Sequence, residues 1–131
     1  MQNSAGISIL RRICNKPFEI ALQIHDEEKP DLARLLANGW SLADPAVVAR
    51  DPWVYRRYIQ ACKAEFMVAR NMYVQSNSGW FSERSMCYLA SGKPVLAQDT
   101  GLARLYPAGE GLLIFSNMEQ ALSCVENLYQ N

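Results

Sequence analysis

The residues with the most chemistry to offer fall in one stretch, SGWFSERSMCYLASGKPVLAQDTG, from Ser78 to Gly101. Gly79, followed by a helix start at Ser82, would expose backbone N–H groups. Those groups, with the helix dipole, can hold a phosphate. Ser76, Ser78 and Ser82 add hydroxyl donors. Glu83 lies four residues before Cys87, so the two share a helix face, and its carboxylate can accept from ligand hydroxyls. Asp99 and Thr100 leave a short apolar run directly, where they can reach a sugar or ribose hydroxyl. Each residue also has a purely structural use. Gly79 can serve a turn, Trp80 plug the core, Ser82 cap, Glu83 complement a helix start and Asp99 cap the next turn. Gly92-Lys93-Pro94 is not a P-loop, because the GxxxxGK[ST] pattern is missing. His25, the single histidine, stands at a predicted strand end and reads as structural before catalytic. Arg84 can bridge to Glu110 or to a ligand phosphate. Cys87 has no identifiable base for thiol catalysis, and no ligand cluster suggests a metal.

These residues need a scaffold, and the apolar spacing supplies one. Residues 7–14 predict a first helix with Ile7, Leu10 and Cys14 on a stripe. Alternation predicts a strand over 18–24. Lys29 to Asn38 reads as a helix with Pro30 in its first turn and Gly39 as its stop. Trp40 to Leu42 is a candidate second strand. Asp44-Pro45 and Asp51-Pro52 each start a helix, the second expected to run to Arg70 or Asn71. Tyr73-Val74 is read as a third strand. Ser82 caps a helix to Ser91, with Met86, Leu89 and Ala90 facing inward, and Gly92 takes the left-handed position after it. Val95 to Ala97 is apolar throughout, like a strand covered on both faces. A short helical segment over 102–105, a strand over 112–115 and a helix capped by Asn117 complete the chain. The predicted fold class is α/β, a three-layer sandwich on a mainly parallel sheet, in one domain over 1–131 with residues 1–16 as a peripheral helix or linker remnant. In an open parallel sheet, ligands sit beyond the carboxyl ends of the strands. His25-Asp26, Ser76 to Ser82, Gln98 to Gly101 and Ser116-Asn117 are therefore expected along one edge.

Bulk properties narrow the partners. The chain has 131 residues, 50% of them hydrophobic, which suits one ordinary core. Thirteen basic groups balance thirteen acidic ones, against the basic excess of a nucleic-acid binder. Cys14, Cys62, Cys87 and Cys124 form no CxxC pair and read as reduced thiols of a cytoplasmic protein. No run is long enough to span a membrane, and the N-terminal residues do not read as a signal peptide.

Residues 78–128 resemble the C-terminal, donor-binding domain of bacterial glycosyltransferases with the two-Rossmann-domain GT-B architecture. The likeness rests on Ser78-Gly79-Trp80-Phe81-Ser82, Tyr88-Leu89-Ala90-Ser91-Gly92, Lys93-Pro94, Gln98-Asp99-Thr100-Gly101 and Gly109-Glu110-Gly111-Leu112-Leu113. It extends back through Trp40 to Pro45 and Tyr58 to Tyr73. The resemblance implies a Rossmann-like fold with a nucleotide-sugar site. Ser78, Gly79, Trp80, Ser82 and Glu83 would approach the diphosphate and its sugar, and Gln98, Asp99 and Thr100 the donor sugar or ribose. It implies a nucleotide-sugar as substrate, with no tightly bound cofactor, and a separate acceptor-binding domain as partner. The sequence departs from the family at Cys87, five residues before Gly92, where many members carry a ribose-binding glutamate. Cys87 is a poor substitute for a bidentate acceptor, and Glu83, one turn earlier, is the residue that would compensate. The chain is also far shorter than a two-domain enzyme, so transfer by the chain alone is not expected.

Two functions follow. One is a nucleotide-sugar-binding domain with an open site beside Gly79 and Asp99. The other is a non-enzymatic, self-associating interaction module, in which Trp80 or Arg84 fills that crevice. A redox or hydrolytic enzyme ranks third, for want of dinucleotide glycines, metal ligands and a second histidine.

Overall fold

The computed structural model describes residues 9–130. Ile7, expected on the first helix, lies outside them. The chain is an α/β protein with two small parallel sheets, and it divides into two compact units, Met1–Arg56 and Arg57–Asn131.

In the first unit, α1 (Leu10–Cys14) buries Leu10 completely and ends on Asn15 in the left-handed region. Strand β1 (Glu19–Ala21) pairs in parallel with β2 (Ser41–Ala43), Ile20 opposite Leu42. Both are three residues long. The alternation over 18–24 is thus used only in its first half, and β2 begins one residue later than expected, with Trp40 buried against Phe18, ring centroids 4.9 Å apart. Between them, a 3₁₀ turn (Asp26–Glu28) leads into α2 (Lys29–Ala37). Asn38 closes it by donating Nδ2 to the Arg34 carbonyl at 2.8 Å, and Gly39 follows at φ +84. The two Asp-Pro pairs act as caps. Asp44 accepts from Ala46 N at 2.9 Å at the start of α3 (Pro45–Val48). Asp51 accepts from Trp53 N and Val54 N, both at 2.9 Å, at the start of α4 (Pro52–Ala61). The Val54 N–H, ahead of the other contacts, holds the Asp51 carboxyl below its ordinary range.

The second unit is built on a parallel sheet in the order β3 (Glu65–Met67), β4 (Val95–Gln98), β5 (Leu112–Phe115). Strand β4 is central and all four of its residues are buried, which explains the apolar run Val95-Leu96-Ala97. Helix α7 (Met118–Gln130) packs on β5 and β4, burying Ala121 and Val125. Its start is fixed from both sides, with Gln120 N donating to Asn117 Oδ1 and Ser116 N to Gln120 Oε1.

Three expectations are corrected here. The helix from Pro52 stops at Ala61, not near Arg70, because Glu65–Met67 pair with β4 and Phe66 stacks on Phe115 at 5.0 Å. Helical spacing of Tyr58, Cys62 and Phe66 is real, but pairing with the sheet overrides it. Tyr73 and Val74 are not a strand. They belong to α5 (Asn71–Gln75), which ends where Ser76 Oγ donates to the Met72 carbonyl at 2.7 Å. Finally, α6 (Glu83–Ala90) turns Ser85 and Tyr88 inward, while Met86 is 52% exposed and Leu89 and Ala90 face out as well. The Tyr88 hydroxyl sets this phase, reaching Cys62 Sγ at 3.6 Å. Burial first, then the Cys62 contact, raises the Tyr88 phenol well above the ordinary tyrosine range.

Candidate functional site

The carboxyl ends of β3, β4 and β5 lie on one edge of the second unit's sheet, since all three strands run in parallel. Strand β4 exits there into Asp99-Thr100-Gly101 and then a 3₁₀ turn, Leu102–Arg104. Asp99 N donates to the Phe115 carbonyl at 2.8 Å, which carries the sheet pairing one step beyond β4. Gly101 N donates to Asp99 Oδ1 at 2.8 Å, closing a tight turn with Gly101 at φ +97.

The segment Ser78 to Ser82 is tied to this turn, although it follows helix α5 and not the strand expected before it. Gly79 N donates to the Thr100 carbonyl at 2.7 Å, and Thr100 Oγ1 donates to the Trp80 carbonyl at 2.7 Å. Thr100 is fully buried, so this exchange locks two segments twenty residues apart. Trp80 N donates to Ser78 Oγ at 3.2 Å, and the Trp80 ring stacks on Tyr73 at 4.9 Å. Ser82 Oγ accepts from Arg84 N at 3.3 Å as the cap of α6, two residues after the Trp80 carbonyl that Thr100 holds.

The eight sequence-selected residues therefore lie in the two segments that the Thr100 bonds join, in four roles. Gln98 and Thr100 are buried and brace the edge, Gln98 by accepting from Ala69 N at 3.1 Å. Ser78, Ser82 and Asp99 hold backbone turns through one oxygen each. Gly79 and Trp80 form the lock with Thr100. Glu83 is exposed in the first turn of α6, and Cys87 is exposed one turn further on the same helix. A Cβ on Gly79 would lie 2.5 Å from Leu105 Cδ1, so Leu105 covers that glycine. Ser116-Asn117 stand at the β5 exit of the same sheet, whereas His25-Asp26 belong to the first unit.

Arg84 has a carboxylate partner on β3. Its Nε donates to Oε1 of Glu65 on β3, a carboxylate only 5% exposed. Glu65 was invisible as a site residue because it sits inside the helical pattern expected up to Arg70. Arg104 was also missed. It reaches back across the turn to donate Nη2 to the Asn77 carbonyl at 3.4 Å. The spacing of such contacts, nineteen and twenty-seven residues, leaves no local signal. Among the described residues no group of three or more His, Cys, Asp or Glu side chains could hold a metal ion, and no helix is long and apolar enough to cross a membrane. Compared with known proteins, the chain matches no family model, no curated relative and no solved structure.

Proposed function

We propose that this chain is a nucleotide-sugar-binding domain of the glycosyltransferase-like type, its sheet belonging to a three-layer Rossmann-like sandwich like the C-terminal half of a GT-B enzyme. The observation that carries the reading is the Gly79–Thr100–Trp80 lock at the carboxyl edge of β4. It brings the Gly-Trp loop, the Asp-Thr-Gly turn and the N-terminus of an eight-residue helix together where open parallel sheets receive ligands. In this reading the α6 start faces the diphosphate, the exposed Glu83 accepts from a sugar or ribose hydroxyl, and Gln98 and Thr100 keep the edge rigid. Transfer belongs to a partner acceptor domain, since donor, acceptor and base must be held together. The four free thiols accord with a cytoplasmic location.

Calorimetric titration with UDP, GDP and their sugar conjugates tests this, on the native chain and on Ser82→Ala and Asp99→Ala. Saturable binding, weakened by either change, is expected. Absence of heat up to millimolar ligand from a folded sample would sink it.

A second reading, the self-associating interaction module, has its own support. Leu105 covers Gly79, Trp80 is stacked on Tyr73 and Arg84 is paired with Glu65, while Met86, Leu105 and Tyr106 are exposed apolar residues. Light scattering across concentration separates it: a dimer indifferent to nucleotide favours the module.

A further inference from the structure

We propose that Asn38-Gly39, at the end of α2, is a self-modifying site, where the Gly39 nitrogen attacks the Asn38 side-chain amide and water completes conversion to aspartate and isoaspartate. Asn-Gly is the dipeptide best suited to this step, because glycine puts no Cβ beside the attacking nitrogen and its backbone turns most freely. The way α2 ends demands both residues. Gly39 sits at φ +84, where any other residue is strained. Asn38 Nδ2 donates to the Arg34 carbonyl at 2.8 Å and so satisfies one of the last carbonyls of the helix. The labile pair is therefore built into the helix stop. In the reaction, a bond forms from Gly39 N to Asn38 Cγ and the Cγ–Nδ2 bond breaks. Ammonia leaves with the Gly39 amide proton, and a cyclic imide remains. Water opens the imide at Cγ to give aspartate in a normal backbone. Opened at the Asn38 backbone carbonyl, it gives isoaspartate, whose chain runs through Cγ and is a methylene longer. Water enters and ammonia leaves, mole for mole.

In the folded turn the reacting atoms are held apart. Gly39 N donates to the Leu36 carbonyl at 3.0 Å, Asn38 has ψ +9, and its amide points back to Arg34. Ring closure turns the Gly39 nitrogen round to the Cβ side of Asn38, so these bonds must open first. Little resists that opening. Helix α2 buries none of its residues, Leu36 is 50% exposed, and the Arg34–Asp31 pair stands in water. Helix ends with so few buried contacts open most readily. The Arg11 guanidinium lies alongside, its Cζ 3.8 Å from where a Gly39 Cβ would be. A positive charge there favours the deprotonated peptide nitrogen that attacks. The consequence falls on the first sheet. A carboxylate at position 38 would face the Arg34 carbonyl, acceptor against acceptor, at the negative end of the helix. Isoaspartate would lengthen the chain just before Trp40 N, which donates to the Leu35 carbonyl at 3.1 Å, and Ser41 N, which donates to the Phe18 carbonyl at 2.9 Å. The second of these bonds begins the β1–β2 pairing, so conversion loosens β2 at its start.

The test follows the full chain through prolonged incubation at neutral pH, with peptide mapping by mass spectrometry at each asparagine and enzymatic methylation of isoaspartate. Asn38 should convert about fivefold or more faster than Asn77, which precedes Ser78, on the scale of glycine's extra backbone freedom. Aspartate and isoaspartate should appear together, both carrying oxygen from isotopically labelled water. Amide hydrogen exchange at Ser41 should quicken by about fivefold or more in the converted chain, as the opening of that bond becomes easier. Asn38→Gln should remove the isoaspartate at this turn and keep Ser41 protected through the same incubation. Conversion at Asn77 or another asparagine that equals or outpaces Asn38 overturns the assignment. So does aspartate without isoaspartate, which would mean direct hydrolysis with no part for the Gly39 nitrogen. No conversion at Asn38, over a time in which the urea-denatured chain converts there, overturns it as well. Unchanged exchange at Ser41 in the converted chain overturns the consequence for β2. Should Asn38→Gln melt early, the mapping and exchange of the wild-type chain decide by themselves.

Discussion

The two parallel sheets differ in what lies beside their strands. Strands β1 and β2 form a pair in which each strand is an edge, and Leu42 is 41% exposed. Of the first unit's described apolar residues, Leu10 and Trp40 alone are buried. In the second unit β4 has a partner on both sides, and burial runs from Ile59 through Met67, Val95, Leu96 and Phe115 to Val125. Two strands make no central strand, and an isolated pair is marginal in water. Three strands with α6 and α7 packed on them close a core, and that core is what holds the candidate site still. Leu96→Ala, in fully packed β4, should cost about 2–5 kcal/mol, whereas Leu42→Ala should stay within about 0.5 kcal/mol. Denaturant unfolding measures both; equal losses would mean that the sheets share the burden of stability.

The ion pairs sharpen the same contrast. Arg84 meets a carboxylate that is 5% exposed, but is itself 54% exposed; Arg34 and Asp31 in the first unit are both open to water, at 3.6 Å. Breaking a fully buried pair costs about 3–5 kcal/mol. Water beside Arg84 screens part of that, so Arg84→Gln should cost about 1–3 kcal/mol and Glu65→Gln less, since the second removes the buried charge. Arg34→Gln should be nearly silent. If Arg84→Gln were equally silent in the same unfolding assay, the Glu65 pair would hold nothing in place.

Two glycines give a smaller contrast. Gly39 and Gly79 both have positive φ, +84 and +74, so alanine at either incurs a backbone cost of about 1 kcal/mol. At Gly39 the nearest side-chain atom is Arg11 Cγ at 3.7 Å, ordinary contact; at Gly79 it is Leu105 Cδ1 at 2.5 Å. Gly79→Ala must therefore move Leu105 too, and should lose about 1–2 kcal/mol against about 1 for Gly39→Ala. Adding Leu105→Ala should return the former to the level of the latter. A double variant no better than Gly79→Ala would show that Leu105 was not the obstacle.

What the sequence disclosed, and what it hid, follows the reach of the contacts involved. Asp44, Asp51, Asn117, Gly39 and Gly92 act on their own turns, so their residue types announced them. Strand β4 was legible because a strand buried on both faces reads as an apolar run, here Val95-Leu96-Ala97. Strand β3 was not, because Phe66 continues the helical spacing of Tyr58 and Cys62 and only the sheet chooses between the two. The inward face of α6 was misjudged for a related reason. Met86 and Leu89 look like core by type, but Ser85 and Tyr88 are the residues turned inside, with the Tyr88 hydroxyl held at Cys62 Sγ. At the site, chemically versatile residues could be picked out by type. Their division into braces and exposed groups depended on Thr100 meeting Trp80, and no spacing rule encodes that.

The subtlest effect appears only in alkali and isolates the second unit's interior. Tyr88 is buried, and burial together with Cys62 raises its phenol above the ordinary range. In the unfolded chain the same phenol loses its proton near pH 10. The folded state therefore retains a proton that the unfolded state gives up, and stability is undiminished below about pH 10 and falls as pH rises beyond it. One such group contributes a slope of about 1.4 kcal/mol per pH unit. Tyr88→Phe removes the titrating group and should flatten the wild-type decline by that amount. At neutral pH it should forfeit about 1 kcal/mol or less, for the bond to Cys62 Sγ. Paired unfolding curves at pH 7, 10 and 11 read the difference directly, since the other tyrosines, lysines and thiols are common to both chains. Parallel curves for the two proteins would mean that the Tyr88 hydroxyl is open to water, and with it the face of α6 that sets the position of the helix start.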